Sequence, residues 1–299
     1  MLADPATEPA LRGELSRVEA VRAFAAELGL DVGRQYRSYA DWPGDRVLTV
    51  VVATRPGEIE PAGFFFPLLG RVPYKGFFDE HRAAAEAERL RARGLDVCLV
   101  PVPAYSTLGW LADPVTTPML ESGQGALVET LIHELVHATV YVANDADFDE
   151  GVATFIGQEG AIRFFAGDPE AQARERARVA DARAVAGVMS ELRGRVAALY
   201  ADSAAAPAAR ELQRSALESE GRAALAALPH AKAAQVAALP LNDACLALAG
   251  TYERDLDAYA ALLAVHGGDL RVFVETVRRA SRARDPRAAL GLPSAATGR

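Results

Sequence analysis

The residues best suited to chemistry form one short run, His133-Glu134-Leu135-Val136-His137. On an α-helix, side chains four apart differ by about 40° in direction, so both imidazoles face one point. Such a pair can hold a zinc ion at about 2.0–2.1 Å from each nitrogen. Glu134 lies too far round the helix to join them as a ligand. It is placed instead to take a proton from a water that the metal activates. Leu131, Ile132, Leu135 and Val136 are apolar and no proline interrupts them, so the run belongs on a half-buried helix. The plain alternative is a core helix with two satisfied histidines.

A third ligand follows in Asp149-Glu150-Gly151-Val152-Ala153-Thr154-Phe155. The first helix can run on through Tyr141 and Val142, and Asn144-Asp145-Ala146-Asp147 supplies turn residues. A second helix beginning near Asp149 would carry Glu150 in its first turn. Two antiparallel helices would then return Glu150 to the histidines. Two His and one Glu leave a coordination position open, as in catalytic rather than structural zinc sites. The alternating Asp145, Asp147 and Asp149 also suggest calcium. That reading fails, because an EF-hand loop opening at Asp145 needs Gly where Glu150 stands and Glu where Ile156 stands.

The elements that must position these residues divide the chain unevenly. Ala10 to Gly29 reads as an amphipathic helix. Val47–Ala53 and Asp96–Val102 read as strands, the aromatic stretch from Gly63 to Phe78 as short strands and turns, and Asp79 as the cap of a helix to about Arg93. From Gly125 the pattern is helical. Glu170 to Leu239 reads as two or three helices broken near Pro207 and Pro229, and Leu241–Val265 and Asp269–Arg282 as one helix each. The expected organisation is a single domain over 1–299. It has a mixed α/β part at 1–120, a metal-binding helix pair at 121–167, a helical part at 168–285 and a frayed tail at 286–299. The class is α+β, mostly helical, with a small N-terminal sheet and a helical C-terminal half.

Composition narrows the function. Hydrophobic residues make up 51% of the 299 and the net charge is −8, which fits a folded chain and argues against nucleic acid as a partner. No apolar run is long enough for a transmembrane segment, and no signal peptide precedes Leu2-Ala3-Asp4-Pro5, so the expected location is cytoplasmic. Cys98 and Cys245 are too few for a disulfide scaffold or a four-thiolate zinc site. Both read as small buried hydrophobes.

The block His133-Glu-Leu-Val-His-Ala-Thr-Val-Tyr-Val, with Asp145 and Phe148-Asp-Glu-Gly-Val-Ala-Thr-Phe, resembles the bacterial family of predicted aminopeptidases. Tyr74-Lys-Gly-Phe-Phe, Val102-Pro-Ala-Tyr-Ser-Thr-Leu-Gly-Trp110 with Asp113-Pro114, and Leu241-Asn-Asp-Ala-Cys-Leu with Tyr252 match it too. The likeness runs over nearly the whole chain. It implies a zincin-like fold, Zn2+ as cofactor and a peptide substrate. The chain departs from the family at Asp149, where Asn is usual, and at Phe65 and Arg71, where a cysteine pair is common. Many members begin with a lipoprotein-type signal. A location in the cell envelope is therefore the alternative, should such a signal lie upstream of Met1.

The resemblance implies roles for further residues. Tyr105 and Tyr252 are candidates for stabilising the oxyanion. Asn242, Tyr74, Ser106 and Trp110 are candidate substrate contacts. Thr154, Asp149 and Asn242 could orient the ligand histidines. The expected function is zinc-dependent peptide hydrolysis, with His133, His137 and Glu150 on the metal and Glu134 as base. The alternative is a non-catalytic zinc-containing scaffold that offers its helical half to a partner.

Overall fold

The computed structural model describes residues 4–66, 70–105, 107, 111–202, 206–253 and 255–292, excepting the side chains at 70, 71, 252 and 253. In chain order the elements are α1 (Pro9–Glu27), β1 (Tyr39–Ala40), β2 (Leu48–Thr54), β3 (Phe64–Phe66), β4 (Gly70–Val72), β5 (Tyr74–Phe77), α2 (Glu80–Arg91), β6 (Asp96–Val102) and β7 (Val115–Thr116). Ten helices follow among the described residues: α3 (Thr117–Glu121), α4 (Gln124–Thr139), α5 (Ala146–Phe164), α6 (Pro169–Ala201), α7 (Pro207–Ala226), α8 (Ala233–Ala238), α9 (Asp243–Glu253), α10 (Leu256–Val265), α11 (Leu270–Ala280) and α12 (Pro286–Ala289). The fold is thus α+β and mostly helical, with small sheets. No described helix is long and apolar enough to cross a membrane.

The chain forms two compact units, each assembled from separated segments. The first takes residues 1–47, 102–176 and 255–299, and the second takes 48–101 and 177–254. At the heart of the first unit is α5. It is apolar around most of its circumference, with Phe148, Val152, Ala153, Phe155, Ile156 and Ala161 all fully buried. A helix of that kind must be enclosed, and α1, α4, α10 and α11 enclose it. The buried face of α11 is Leu270, Phe273, Val274, Val277 and Ala280, at helical spacing. Phe273 and Tyr259 meet Phe155, with ring centroids 5.1 and 5.8 Å apart. Each fully buried large apolar side chain contributes about 1.5–3 kcal/mol.

In the second unit β2 is the central strand of a three-stranded sheet ordered β5-β2-β6. β2 and β5 are antiparallel, with Val50 opposite Gly76 and Val52 opposite Tyr74. β2 reads as a continuous β-branched run because it is buried almost throughout. Helix α2 covers this sheet with Ala83, Ala87 and Leu90. Its N-cap is Asp79, whose carboxylate accepts from the amides of His81 and Arg82. A separate cluster of Met189, Leu192, Val196, Leu225, Leu241 and Leu246 holds α6, α7 and α9 together.

Four readings of the sequence are corrected here. Cys98 on β6 and Cys245 on α9 are buried, but they form a disulfide with Cα atoms 5.1 Å apart, closing a separation of 147 residues. The span Leu241–Val265 is not one helix. Asp255 adopts a left-handed conformation (φ +66°) and starts α10 afresh. Helix α4 ends at Thr139 instead of passing through Val142, and α5 starts at Ala146, earlier than Asp149. The tail is not frayed from 286. α12 forms there and Arg287 is only 3% exposed, paired with Asp255 through its guanidinium. Residues 293–299 lie outside the described residues.

Candidate metal centre

Helices α4 and α5 pack antiparallel, which brings the two halves of the motif together. Glu150, near the start of α5, faces His133 and His137 on α4, whereas Gly157, further along, faces Glu129 and His133. The close approach depends on Gly157, where a Cβ would stand 3.1 Å from the Glu129 carbonyl oxygen and 3.3 Å from His133 Cβ. The connecting turn is tight. Asn144 takes a left-handed conformation (φ +66°), and Asp145 caps α5 by accepting from the Phe148 amide. Both Asp149 carboxylate oxygens accept from the Val142 amide at 2.9 and 3.2 Å, which satisfies a donor freed by the end of α4.

His133 Nε2, His137 Nε2 and Glu150 Oε2 form a small triangle. Its edges are 3.1 Å between the nitrogens, 3.2 Å from His133 to Glu150 and 3.4 Å from His137 to Glu150. A tetrahedral ion with bonds near 2.05 Å would separate its ligand atoms by about 3.3 Å. The donor set therefore fits a divalent cation in both distance and type, with two imidazoles and one carboxylate. Among the described residues this is the only such cluster of His, Cys, Asp and Glu.

The electrostatics agree. Burial alone would raise the pKa of Glu150, but His137 and His133 beside it hold the carboxyl well below the usual range. Burial draws His137 downward, and the Glu150 carboxylate, helped by Glu134 and Asp149, more than reverses this to about 9. A proton on His137 thus holds the place for which a cation would compete. Burial pushes Asp149 up to about 8 against the opposing Val142 amide and His137. His137 Nδ1 is buried and has no hydrogen-bond partner among the described residues.

Glu134, next to His133, is not one of the three. Burial raises its pKa, His133 and His137 pull it back, and Glu150 and Asp113 add to the rise. An upward-shifted carboxylate beside two imidazoles is the kind of setting in which general bases occur.

The remaining sequence candidates are dispersed. Tyr105 is half-buried in the first unit, its pKa raised by burial and by Asp113. Asn242 is committed within the second unit. Its Nδ2 donates to Asp96 Oδ1 and to the Val97 carbonyl, both at 3.0 Å, and so ties the start of α9 to β6 beside the disulfide. Tyr74 pairs with Val52 across β2 and β5. Ser106, Trp110 and the Tyr252 side chain lie outside the described residues. Thr154 on α5 is half-buried, and Asp149 exerts its field on His137.

Two residues that sequence reasoning passed over lie within electrostatic reach of Glu134. Tyr36 is 3% exposed and stands in a left-handed conformation (φ +59°). Its pKa is raised well above the usual value by burial and then by Glu134, Asp113 and Tyr105. Asp113, also 3% exposed, is gripped from several sides. Its carboxylate accepts from the Thr107 amide at 2.8 Å and from the Thr107 hydroxyl at 3.0 Å. Its amide donates to Gln35 Oε1, and its carbonyl accepts from the Tyr36 amide, both at 2.7 Å. The only advance signal was Asp113-Pro114 within the resemblance; nothing in the local pattern singles out Tyr36.

Residues 1–289 match the profile of a family described as "Putative aminopeptidase". The chain belongs to that family. No curated protein and no solved structure matches it at a significant level.

Proposed function

We propose that the chain is a zinc-dependent peptide hydrolase of zincin-like architecture, with His133, His137 and Glu150 holding the metal. The observation that carries this reading is the triangle of two imidazole nitrogens and one carboxylate oxygen, with a desolvated Glu134 one residue from the first histidine. Zinc bound there would act as a Lewis acid on the scissile carbonyl and lower the pKa of a water. Glu134 removes a proton from the attacking water as its oxygen bonds the carbonyl carbon. It then delivers that proton to the amide nitrogen as the C–N bond breaks, leaving a carboxylic acid and an amine. The family match supports a peptidase, and the residues support the metal.

Glu134→Gln keeps a side chain of the same size and removes only the base. The variant is expected to retain one zinc per chain and lose about 10²–10⁴-fold in turnover on a peptide library. Hydrolysis at the native rate by a zinc-loaded Glu134→Gln protein would overturn this mechanism.

The Cys98–Cys245 disulfide supports the envelope alternative over the cytoplasm, because reducing compartments keep such pairs open.

A further inference from the structure

The row that carries the two histidines begins one turn before them. Glu129, His133 and His137 follow one another at four-residue intervals on α4, and residues so spaced lie one above the other on a single face, with Cβ atoms about 5–6 Å apart. The Glu129 side chain reaches the same seam between α4 and α5 as the ligands. A Cβ built on Gly157 would stand 3.4 Å from Glu129 Cγ and 3.3 Å from His133 Cβ, so one point of α5 borders both. Glu129 and His133 are half-buried, whereas Leu127, Val128, Leu131 and Ile132 on the other faces of α4 are fully buried. The half-buried neighbours of Glu129, Ala126 and Thr130, are small. The row thus places a carboxylate on the open side of α4, about 6 Å along the helix axis from His133.

Glu129 is not one of the three candidate ligands. Nor does it share the position of Glu134. It stands about 40° round the helix on one side of His133, and Glu134 stands about 100° round on the other. A glutamate that served only solubility would need no place at a tight helix contact beside the ligands. A carboxylate there suits a cation that arrives with the substrate. An amino terminus lies two bonds from the first peptide carbonyl, and each further residue moves it by about 3.5 Å. With that carbonyl at the histidine pair, Glu129 is within reach of an ammonium one or two residues from the bond to be cut. A lysine beside that bond offers the same group.

We propose that Glu129 is a specificity residue that pairs with a cationic nitrogen of the substrate, supplied by a free amino terminus or by a lysine next to the scissile bond. This deepens the hydrolase reading and rests on it. The pair forms in a half-buried place, where a charge-assisted hydrogen bond counts for more than at an open surface.

Glu129→Gln keeps the shape of the side chain and removes its charge. Zinc-loaded native protein and variant are compared on one peptide in several forms: with a free amino terminus, acetylated without lysine, and acetylated with lysine at each position in turn. The native protein is expected to favour a form that carries an ammonium by about 10–10²-fold in kcat/KM, and this preference should collapse in Glu129→Gln through a rise in KM. Preference for the free amino terminus marks an exopeptidase, and preference for an acetylated lysine form marks a lysine-directed enzyme. The acetylated peptide without lysine should be cut as slowly by the variant as by the native protein, with zinc content unchanged. Glu129→Asp, which restores the charge, should recover part of the preference. The same preference in Glu129→Gln, or none in the native protein, would overturn the proposal while leaving the hydrolase reading intact. An equal loss on every peptide would make Glu129 a structural residue, and loss of zinc would make it a ligand; either result overturns the proposal as well. If the zinc-loaded native protein cuts none of these peptides, the hydrolase reading itself fails and the proposal falls with it.

Discussion

Gly157→Ala probes the helix contact on which the candidate metal centre depends. An added Cβ would stand 3.1 Å from the Glu129 carbonyl oxygen and 3.3 Å from His133 Cβ, where ordinary contacts begin at 3.4 Å. The Glu129 oxygen belongs to the backbone of α4 and cannot rotate away, so α4 and α5 must part by about 0.3 Å, in line with the rigidity of packed cores. Replacing a helical Gly gains up to about 1 kcal/mol, and overpacking costs about 1–3 kcal/mol, so the net effect is about 0–3 kcal/mol of destabilisation. At about 2–4 °C per kcal/mol the melting temperature falls by a few degrees. Because His133 is one of the atoms met, zinc affinity should drop about tenfold, as when other supports of metal ligands are disturbed. Two internal comparisons sharpen the test. Gly13→Ala on α1 meets nothing within 4 Å and should stabilise by about 0.5–1 kcal/mol. Gly160→Ala meets Ile132 Cδ1 at 2.9 Å, but that is the end of a flexible side chain, so its effect should be milder than the distance implies. The assays are thermal melts of the three variants and zinc competition against a chelator. If Gly157→Ala raises the melting temperature as Gly13→Ala does and keeps native zinc affinity, the helix contact is not what sets the site.

Other expectations follow from the same geometry. Non-reducing peptide mapping should recover Cys98 linked to Cys245, and replacing both by Ala should cost about 2–4 kcal/mol in denaturant unfolding; free thiols in the native protein would contradict the pairing. Glu150→Ala should lose zinc in a chelator competition while Asp147→Ala keeps it, and Asp145→Ala should keep the affinity but lose about 1 kcal/mol of stability with its cap. Native affinity in Glu150→Ala would move the third ligand elsewhere. In protein stripped of metal, His137 is raised to about 9, so its pairing with Glu150 stabilises fully below pH 6.5 and fades as pH climbs to about 9. Asp149, raised to about 8, acts with the same sign from 3.8 upward, because its buried carboxyl is favoured when neutral. Stripped protein should therefore melt at progressively lower temperature from pH 6.5 to 9, and a flat profile would count against the pairing.

The parts of the site legible in advance were those governed by local periodicity. Helical spacing alone put His133 and His137 on one face, and the buried apolar residues around them set the helix in a core. Glu150 was reached through the turn residues before it, though the helix start lay earlier because Asp145, not Asp149, provides the cap. What escaped was long-range or conformational. The Cys98–Cys245 bond depends on β6 and α9 meeting across 147 residues, and two cysteines in apolar surroundings look alike whether paired or not. The break at Asp255 rests on a left-handed backbone at a residue that carries no glycine signal. The left-handed backbone at Tyr36 gave no signal for the same reason, since the bonds around it come from Arg22 and Asp113, distant in sequence.

The way the first unit is stitched together bears on how the protein is made. Helix α5 carries Glu150, yet its far sides are covered by α10 and α11, and Arg287 pairs with the Asp255 that opens α10. Those covering segments leave the ribosome roughly a hundred residues after the motif, a delay of about 5–20 s at ordinary rates of synthesis. Throughout that interval the nascent chain carries its two histidines and its carboxylate on a helix pair whose α10- and α11-facing sides have no permanent cover. The second unit is translated in between. Closure of the unit that carries the candidate metal site is therefore a late event in biosynthesis, and any metal captured earlier would be held by a partly assembled site.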